Sequence, residues 1–396
     1  MPRSQKPAFP PPVLVTTTDA LAALCERLRG ETFVTVDTEF MRERTYWPEL
    51  CVIQLAGDNE VAVVDALAPG LDIAPLAALF ADPAVEKVFH ACRQDIEIFV
   101  QKFGAVPAPL FDTQVAAMVA GFGDQVAYDA LVAALTGGHI DKSHRFSDWA
   151  ARPLSQAQIT YAAADVTHLR GVYTKLRARL EKEGRLEWVG EEMGVLADPA
   201  TYQPDPELMW ERLKPRTNNR RMLGVLRAVA AWREREAQRS NIPRGRMLKD
   251  ESLLEIAATA PTDLDALARC RGISRGFADG RMGNSLLAAI AEAKALPEDA
   301  LPPAQSQRDG PKPSPALVAL LKVLLAAKCD QHQVATKLVA NGEDIDRLAS
   351  DDEPDVPALQ GWRRDVFGAD ALALKAGGVA LAVAGKRIRL VPVVAD

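Results

Sequence analysis

The stretch FVTVDTEF, residues 33–40, opens a run of short β-branched segments and carries two acids at its end. Read as a strand, it places Phe33, Thr35, Asp37 and Glu39 on one face and Val34, Val36, Thr38 and Phe40 on the other. Asp37 and Glu39 then project side by side, roughly 7 Å apart along the strand. Two carboxylates at the end of an apolar strand repel each other and are costly to bury without a compensating cation. Hard oxygen donors of this kind suit Mg²⁺ or Mn²⁺. The same pair also reads as an ordinary solvated strand end, and D-x-E alone does not choose between the two.

Outward from this strand, CVIQLAG (51–57), VAVVDA (61–66) and VEKVFHA (85–91) repeat the short strand pattern. Helical periods follow in APLAALF (74–80) and in DIEIFVQKF (95–103), which ends at Gly104. Alternation of this kind predicts an α/β domain with helices packed on a sheet. The first three strands have no helix between them, which predicts antiparallel pairing at the start. Beyond about residue 200 the strand signal fades into helices and polar turns, with Gly272, Gly276, Gly280 and Gly283 in one turn-rich patch. Residues 297–315 hold six prolines in nineteen positions and predict an extended linker. A further helical unit follows, with a small hairpin in GVALAVAGKRIRLVPV (378–393). The expected domains are therefore 1–204, 205–296 and 316–396, with 297–315 as the linker.

Two more segments carry acids in positions that matter. Asp95 falls in the first turn of a helix starting near Arg93, where the helix dipole alone would stabilise it. Ser155 and Gln158 form a capping box, with Leu154 and Ile159 as its hydrophobic staple. From there Ile159, Ala162, Val166, Leu169, Tyr173, Leu176 and Leu180 predict a continuous buried stripe, closed by Lys182 and Gly184. Tyr161 and Asp165, four apart, stand together beside that stripe. Asp112 has a sufficient role as an N-cap, and Asp65 also ends a strand; neither joins the candidate set. His90, His139, His144 and His168 lack zinc-ligand spacing. In the loop DKSHRFSDWAARPLS (141–155), Lys142, Arg145 and Arg152 are candidates to hold substrate phosphates, and Trp149 is expected to anchor the loop in the core.

Together, D-x-E on a first strand, an Asp opening a later helix, and Y-x-x-x-D on the last long helix resemble the tyrosine branch of the DEDD 3′→5′ exonucleases. VDTEF, HACRQD, FDTQVAAMVAGFG, DKSHRFSDWAARPLS and YAAADV are similar to the ribonuclease D family. The sister branch would need His where Thr160 stands. The resemblance implies a ribonuclease H-like mixed sheet with flanking helices, followed by two mainly α-helical HRDC-type domains. It implies that Asp37, Glu39, Asp95 and Asp165 ligate two divalent metals, Mg²⁺ or Mn²⁺, and that Tyr161 orients the attacking water. The expected activity is 3′→5′ exoribonuclease trimming of RNA, with tRNA precursors bearing 3′ extensions as substrates and 5′-mononucleotides as products. A DNA 3′→5′ exonuclease would share the acid set; a vestigial, non-catalytic RNA-binding protein would not need all five side chains.

The net charge of −6 over 396 residues argues at first against a nucleic-acid-coating protein. Its distribution argues otherwise. Residues 212–249 contain twelve Lys or Arg against Glu234 and Glu236, a local charge of +10 that leaves the rest of the chain at −16. Such a run is often a solvated helix face, but beside a nuclease pattern it predicts a phosphate-binding surface. This region, ERLKPRTNNRRMLGVLRAVAAWREREAQRSNIPRGRMLKDESLLEIA, resembles an HRDC domain, with Trp232, Leu253 and Ile256 at core positions. LQGWRRDVFGADALAL (359–374) resembles a second, divergent one. Five cysteines without C-x-x-C spacing predict reduced thiols. The absence of a signal-peptide pattern in MPRSQKPAFPPP and of a long apolar run predicts a cytoplasmic, non-membrane protein, and a monomer is expected.

Overall fold

Strand β2 (Phe33–Met41) sits inside a six-stranded sheet, and everything that positions its acids is built around it. The other strands are β1 (Val13–Val15), β3 (Glu49–Ala56), β4 (Val61–Asp65), β5 (Glu86–Phe89) and β6 (Leu110–Asp112), in the spatial order β1-β4-β3-β2-β5-β6. This computed structural model describes residues 9–303 and 313–393. The sheet is mixed: β3 and β4 pair antiparallel, whereas β1–β4, β2–β5 and β5–β6 are parallel. The antiparallel expectation holds for the β3–β4 pair. The sequence pattern missed β1 and β6, three residues each, which are too short to show an alternation.

Helices α1 (Thr18–Leu28), α2 (Pro75–Ala81), α3 (Arg93–Phe103), α4 (Thr113–Val119), α5 (Tyr128–Thr136), α6 (Gln156–Lys182) and α7 (Leu186–Ala197) accompany the sheet. In α6 the capping box forms as expected: Ser155 Oγ accepts from Gln158 N while Gln158 reaches back to the cap. Every residue of the expected stripe from Ile159 to Leu180 is buried. Each large apolar side chain in it contributes about 1.5–3 kcal/mol by leaving water. Gly184, at φ +69°, ends the helix in the left-handed region that a Cβ would strain.

By compactness, Met1–Glu39, Cys51–Pro199 and Arg308–Asp396 form one unit; Phe40–Leu50 and Ala200–Gln307 form another. In the first, the C-terminal residues keep a hydrophobic core of their own around Leu321, Leu324, Trp362 and Phe367. They also tie back to the earlier part of the unit: Arg363 pairs with Glu192, Trp362 stacks on Trp188 at 4.6 Å, and Arg185 donates to the Gln333 carbonyl. The expected hairpin forms as Val379–Ala384 against Arg387–Pro392.

The second unit is built on α8 (Arg220–Ser240), which packs with helices at Asp250–Thr259 and Arg281–Ala295; Trp232, Leu253 and Ile256 lie in its core as expected. Seven of the twelve cations in its basic run are tied to protein groups. Arg220, Arg221 and Arg227 donate to carbonyls between Leu296 and Pro302, and Arg233 to Asp250 and the Leu248 carbonyl. Arg235, Arg239 and Arg244 pair with Glu207, Glu236 and Glu234. The run is thus partly a structural clamp, because carbonyls at helix ends and buried acids need donors. Residues 297–302, expected as the start of an extended linker, are held on α8 by these same arginines, and the linker's 304–312 stretch lies outside the described residues. The loop Phe40–Leu50 belongs to this unit. Tyr46 donates to Glu234, accepts from Arg244 at 2.7 Å, and lies under the Arg244 guanidinium.

Candidate active site

β2 and α6 meet in matched steps. Two residues of strand advance about 6.6 Å and four residues of helix about 6 Å, so alternate strand positions track successive helix turns. Phe33 packs on Tyr173, with the Arg170 guanidinium 4.1 Å from its ring centre. One step on, Thr35 Oγ1 donates to the Val166 carbonyl at 2.8 Å. The next steps bring Asp37 into the field of Asp165, and Glu39 into the field of Asp165 and Tyr161. The opposite strand face reaches α3, where Thr38 Oγ1 donates to Asp95. Asp95, in the first turn of α3, is itself in the field of Asp37. All five expected residues are therefore brought together, with Asp37 at the hub.

The setting of the acids is hostile to charge. Asp95 and Asp165 are each 7% exposed. Burial pushes Asp37 up to about 7, against a backbone hydrogen bond from Thr38. Burial, then Asp37, pushes Asp165 up to about 8 while Tyr161 donates a hydrogen bond to it. Glu39 rises to about 9, first from burial and then from Asp37, Asp165 and Asp95, with Arg145 opposing. Asp95 rises well above the carboxylate range from burial and Asp37. The Tyr161 phenol is raised by burial and the same acids, so it stays protonated and can only donate or orient. Among the described residues no three Asp, Glu, His or Cys side chains converge into a preformed metal cluster. The four acids share a field without sharing a point. Their donor chemistry, all carboxylate oxygens in a poorly hydrated pocket, fits hard divalent cations.

Two supports were not visible in the sequence pattern. Thr38 lies on the strand face opposite Asp37 and Glu39, yet its hydroxyl holds Asp95. Tyr128 on α5 donates its hydroxyl to the Asp165 carbonyl and packs, with rings tilted, 4.9 Å from His90, whose Nδ1 meets Thr113 Oγ1 at 3.0 Å. Asp112 is an N-cap as expected, bonding Gln114 N at 2.7 Å, and it also takes the amides of Ala91 and Cys92 at 3.0 and 2.8 Å. Those bonds fix the turn at Ala91, φ +57°, that launches α3 and aims Asp95.

The basic side chains of the 141–155 loop separate into two groups. Arg152, expected to hold phosphate, is consumed structurally: it pairs with Asp65 at 2.7 Å and donates to the Cys51, Trp149 and Ala151 carbonyls. Lys142 pairs with Asp129 at 2.7 Å. Arg145 lies within the electrostatic field of Glu39 and Tyr161. Trp149 is buried, its ring 6.0 Å from that of Tyr161, and anchors the loop as expected.

Comparisons with known proteins agree with this geometry. Residues 12–181 match the family described as 3′-5′ exonuclease and residues 222–290 match the HRDC domain. Ribonuclease D of Gluconacetobacter diazotrophicus is 68% identical over 99% of this chain and 100% of its own length. That of Granulibacter bethesdensis is 70% identical over 99% of both chains. The crystal structure of Escherichia coli RNase D, described as an exoribonuclease involved in structured RNA processing, is 31% identical with a TM-score of 0.78, covering 92% of this chain and 99% of that one. All five cysteines are free and buried, and among the described residues no helix is long and apolar enough to cross a membrane. With a buried carboxylate hub on β2, α3 and α6 and relatives matched nearly end to end, the chain belongs to the ribonuclease D family.

Proposed function

We propose that this chain is a 3′→5′ exoribonuclease that hydrolyses RNA from its 3′ end to 5′-mononucleotides, acting on tRNA precursors with 3′ extensions. The observation that carries the mechanism is the acid cluster: Asp37 stands in the field of Glu39, Asp95 and Asp165, and no lysine or arginine forms an ion pair with any of the four among the described residues.

Asp37, Glu39, Asp95 and Asp165 would hold two divalent metal ions, Mg²⁺ or Mn²⁺. Bound there, such ions supply a nucleophile from water at neutral pH and offset charge on the leaving oxygen. The chain's own residues do the rest. Thr38 and Asp112 fix Asp95, and Tyr128 fixes the backbone of Asp165. Tyr161, held protonated, orients water by its hydroxyl and does not act as the base. Arg145, on the same loop as buried Trp149, meets the phosphate that approaches Glu39. The HRDC-type domains, including the divergent one in 316–396, hold the folded body of the RNA. Arg212, Lys214, Arg216, Arg246 and Lys249, whose side chains form no ion pair or hydrogen bond among the described residues, are the cations available for that.

The test is hydrolysis of a 3′-extended tRNA and of single-stranded DNA, with Mg²⁺, with Mn²⁺ and with chelator. Chelator-sensitive trimming of the RNA is expected. Faster hydrolysis of DNA would refute the substrate; activity that survives chelation would refute the metal requirement.

A further inference from the structure

Phe146 is 92% exposed, more than any other large apolar side chain described. Isolated exposed apolar residues are ordinary, but three features set this one apart. First, the loop that carries it is fixed: Ser143 N bonds Asp141 Oδ1, Ser147 N bonds the His144 carbonyl, and Trp149 is buried beneath. Second, the Arg145 guanidinium stands 5.4 Å from the Phe146 ring centre and carries no ion pair or hydrogen bond among the described residues. Third, the neighbouring His144 ring is 6.3 Å from Tyr161, and Arg145 lies within the field of both Glu39 and Tyr161. A bare aromatic face and an uncommitted cation thus stand together at the edge of the acid cluster.

We propose that Arg145 and Phe146 form a nucleotide grip, Phe146 stacking on a base within the last two nucleotides of the RNA and Arg145 binding the adjoining phosphate. The grip rests on the exoribonuclease reading above. Stacking on an aromatic face accepts every base, as trimming through any sequence requires, and Arg presents a planar fork that matches phosphate oxygens.

The experiment measures kcat/KM of the full chain in Mg²⁺ on single-stranded oligoadenylate and on the same oligomer with abasic ribose at its last two positions. Stacking of about 1–3 kcal/mol corresponds to about 5- to 150-fold. Phe146→Ala is expected to lose that factor on the intact oligomer and little on the abasic one, and Phe146→Trp to restore it. Arg145→Ala is expected to lower kcat/KM on both. Equal activity of Phe146→Ala and the parent on intact RNA, or equal loss on both substrates, would overturn the grip. If the parent itself degrades neither oligomer, the exoribonuclease reading falls and the grip with it; if the parent degrades RNA and Phe146→Ala is indifferent, only the grip falls.

Discussion

In the absence of metal, Asp37→Asn should make this protein more stable at pH 8, although the position is central to the site. Asp37 titrates at about 7 in the folded chain against an ordinary value of 3.8. Between those values the unfolded chain releases a proton that the folded chain keeps, so stability falls as pH rises through that window and the loss is complete above pH 7. A shift of about three units corresponds to about 4 kcal/mol at the limit. Protons shared with Asp165 and Asp95 relieve part of the repulsion, which leaves a gap on the order of 2–4 kcal/mol. Asparagine cannot ionise, and its amide oxygen still accepts the Thr38 backbone bond. Urea denaturation in EDTA at pH 4 and pH 8 measures the difference. The variant should exceed the parent by a few kcal/mol at pH 8 and by little at pH 4; Mg²⁺ should then stabilise the parent more than the variant. A variant no more stable than the parent at pH 8 would refute a frustrated, ion-free carboxylate cluster.

Other expectations follow from single contacts. Glu234 is 1% exposed and accepts from Tyr46, Gln238 and Arg244. Burial pushes its carboxyl up, but the Arg244 and Tyr46 bonds outweigh this and hold it below its ordinary range. Its contribution is present above the ordinary carboxylate range and lost as pH falls below it. Glu234→Ala should cost about 3–5 kcal/mol in chemical denaturation, because the buried partners lose their acceptor; a loss under 1 kcal/mol would show that the network is incidental. Arg152→Ala should cost about 1–3 kcal/mol by leaving the Trp149 carbonyl without a donor and removing the ion partner of the part-buried Asp65. A raised KM for RNA with stability unchanged would instead restore Arg152 as a phosphate ligand. Tyr161→Phe should lower kcat about 10²–10⁴-fold at nearly constant KM if its hydroxyl orients water, and an unchanged kcat would remove that role.

Much of the site was legible because its elements are periodic. The alternation of FVTVDTEF puts Asp37 and Glu39 on one strand face and the spacing of α6 puts Tyr161 and Asp165 on one helix face, while joining the two pairs into one site took the family resemblance. Asp95 was legible as a helix-opening acid, but its supports were not. Thr38 reaches it from the strand face opposite Asp37 and Glu39, and Asp112 fixes its turn from 20 and 21 residues away in the chain, a tertiary closure with no local period. Arg152 looked identical to Arg145 as a loop cation; only the buried Asp65 and nearby carbonyls decide that one is structural and the other free. In the basic run, too, composition counts charges without showing the carbonyls at Leu296 and Pro302 that engage some of them. Short strands such as β1 and β6 escaped because three residues carry no pattern.

The most direct test places the scissile end and the acid hub in one assay. A 3′-extended tRNA, labelled at its 3′ end in one sample and its 5′ end in another, is incubated in Mg²⁺ with the parent chain and with Asp165→Asn. The expected result is immediate release of labelled mononucleotide from the 3′ label, stepwise shortening of the 5′-labelled strand, and at least about a 10³-fold loss in the variant, the scale on which electrostatic stabilisation of the transition state acts. Internal cleavage, release from the 5′ end, or full activity in Asp165→Asn would contradict a 3′→5′ exoribonuclease centred on these carboxylates.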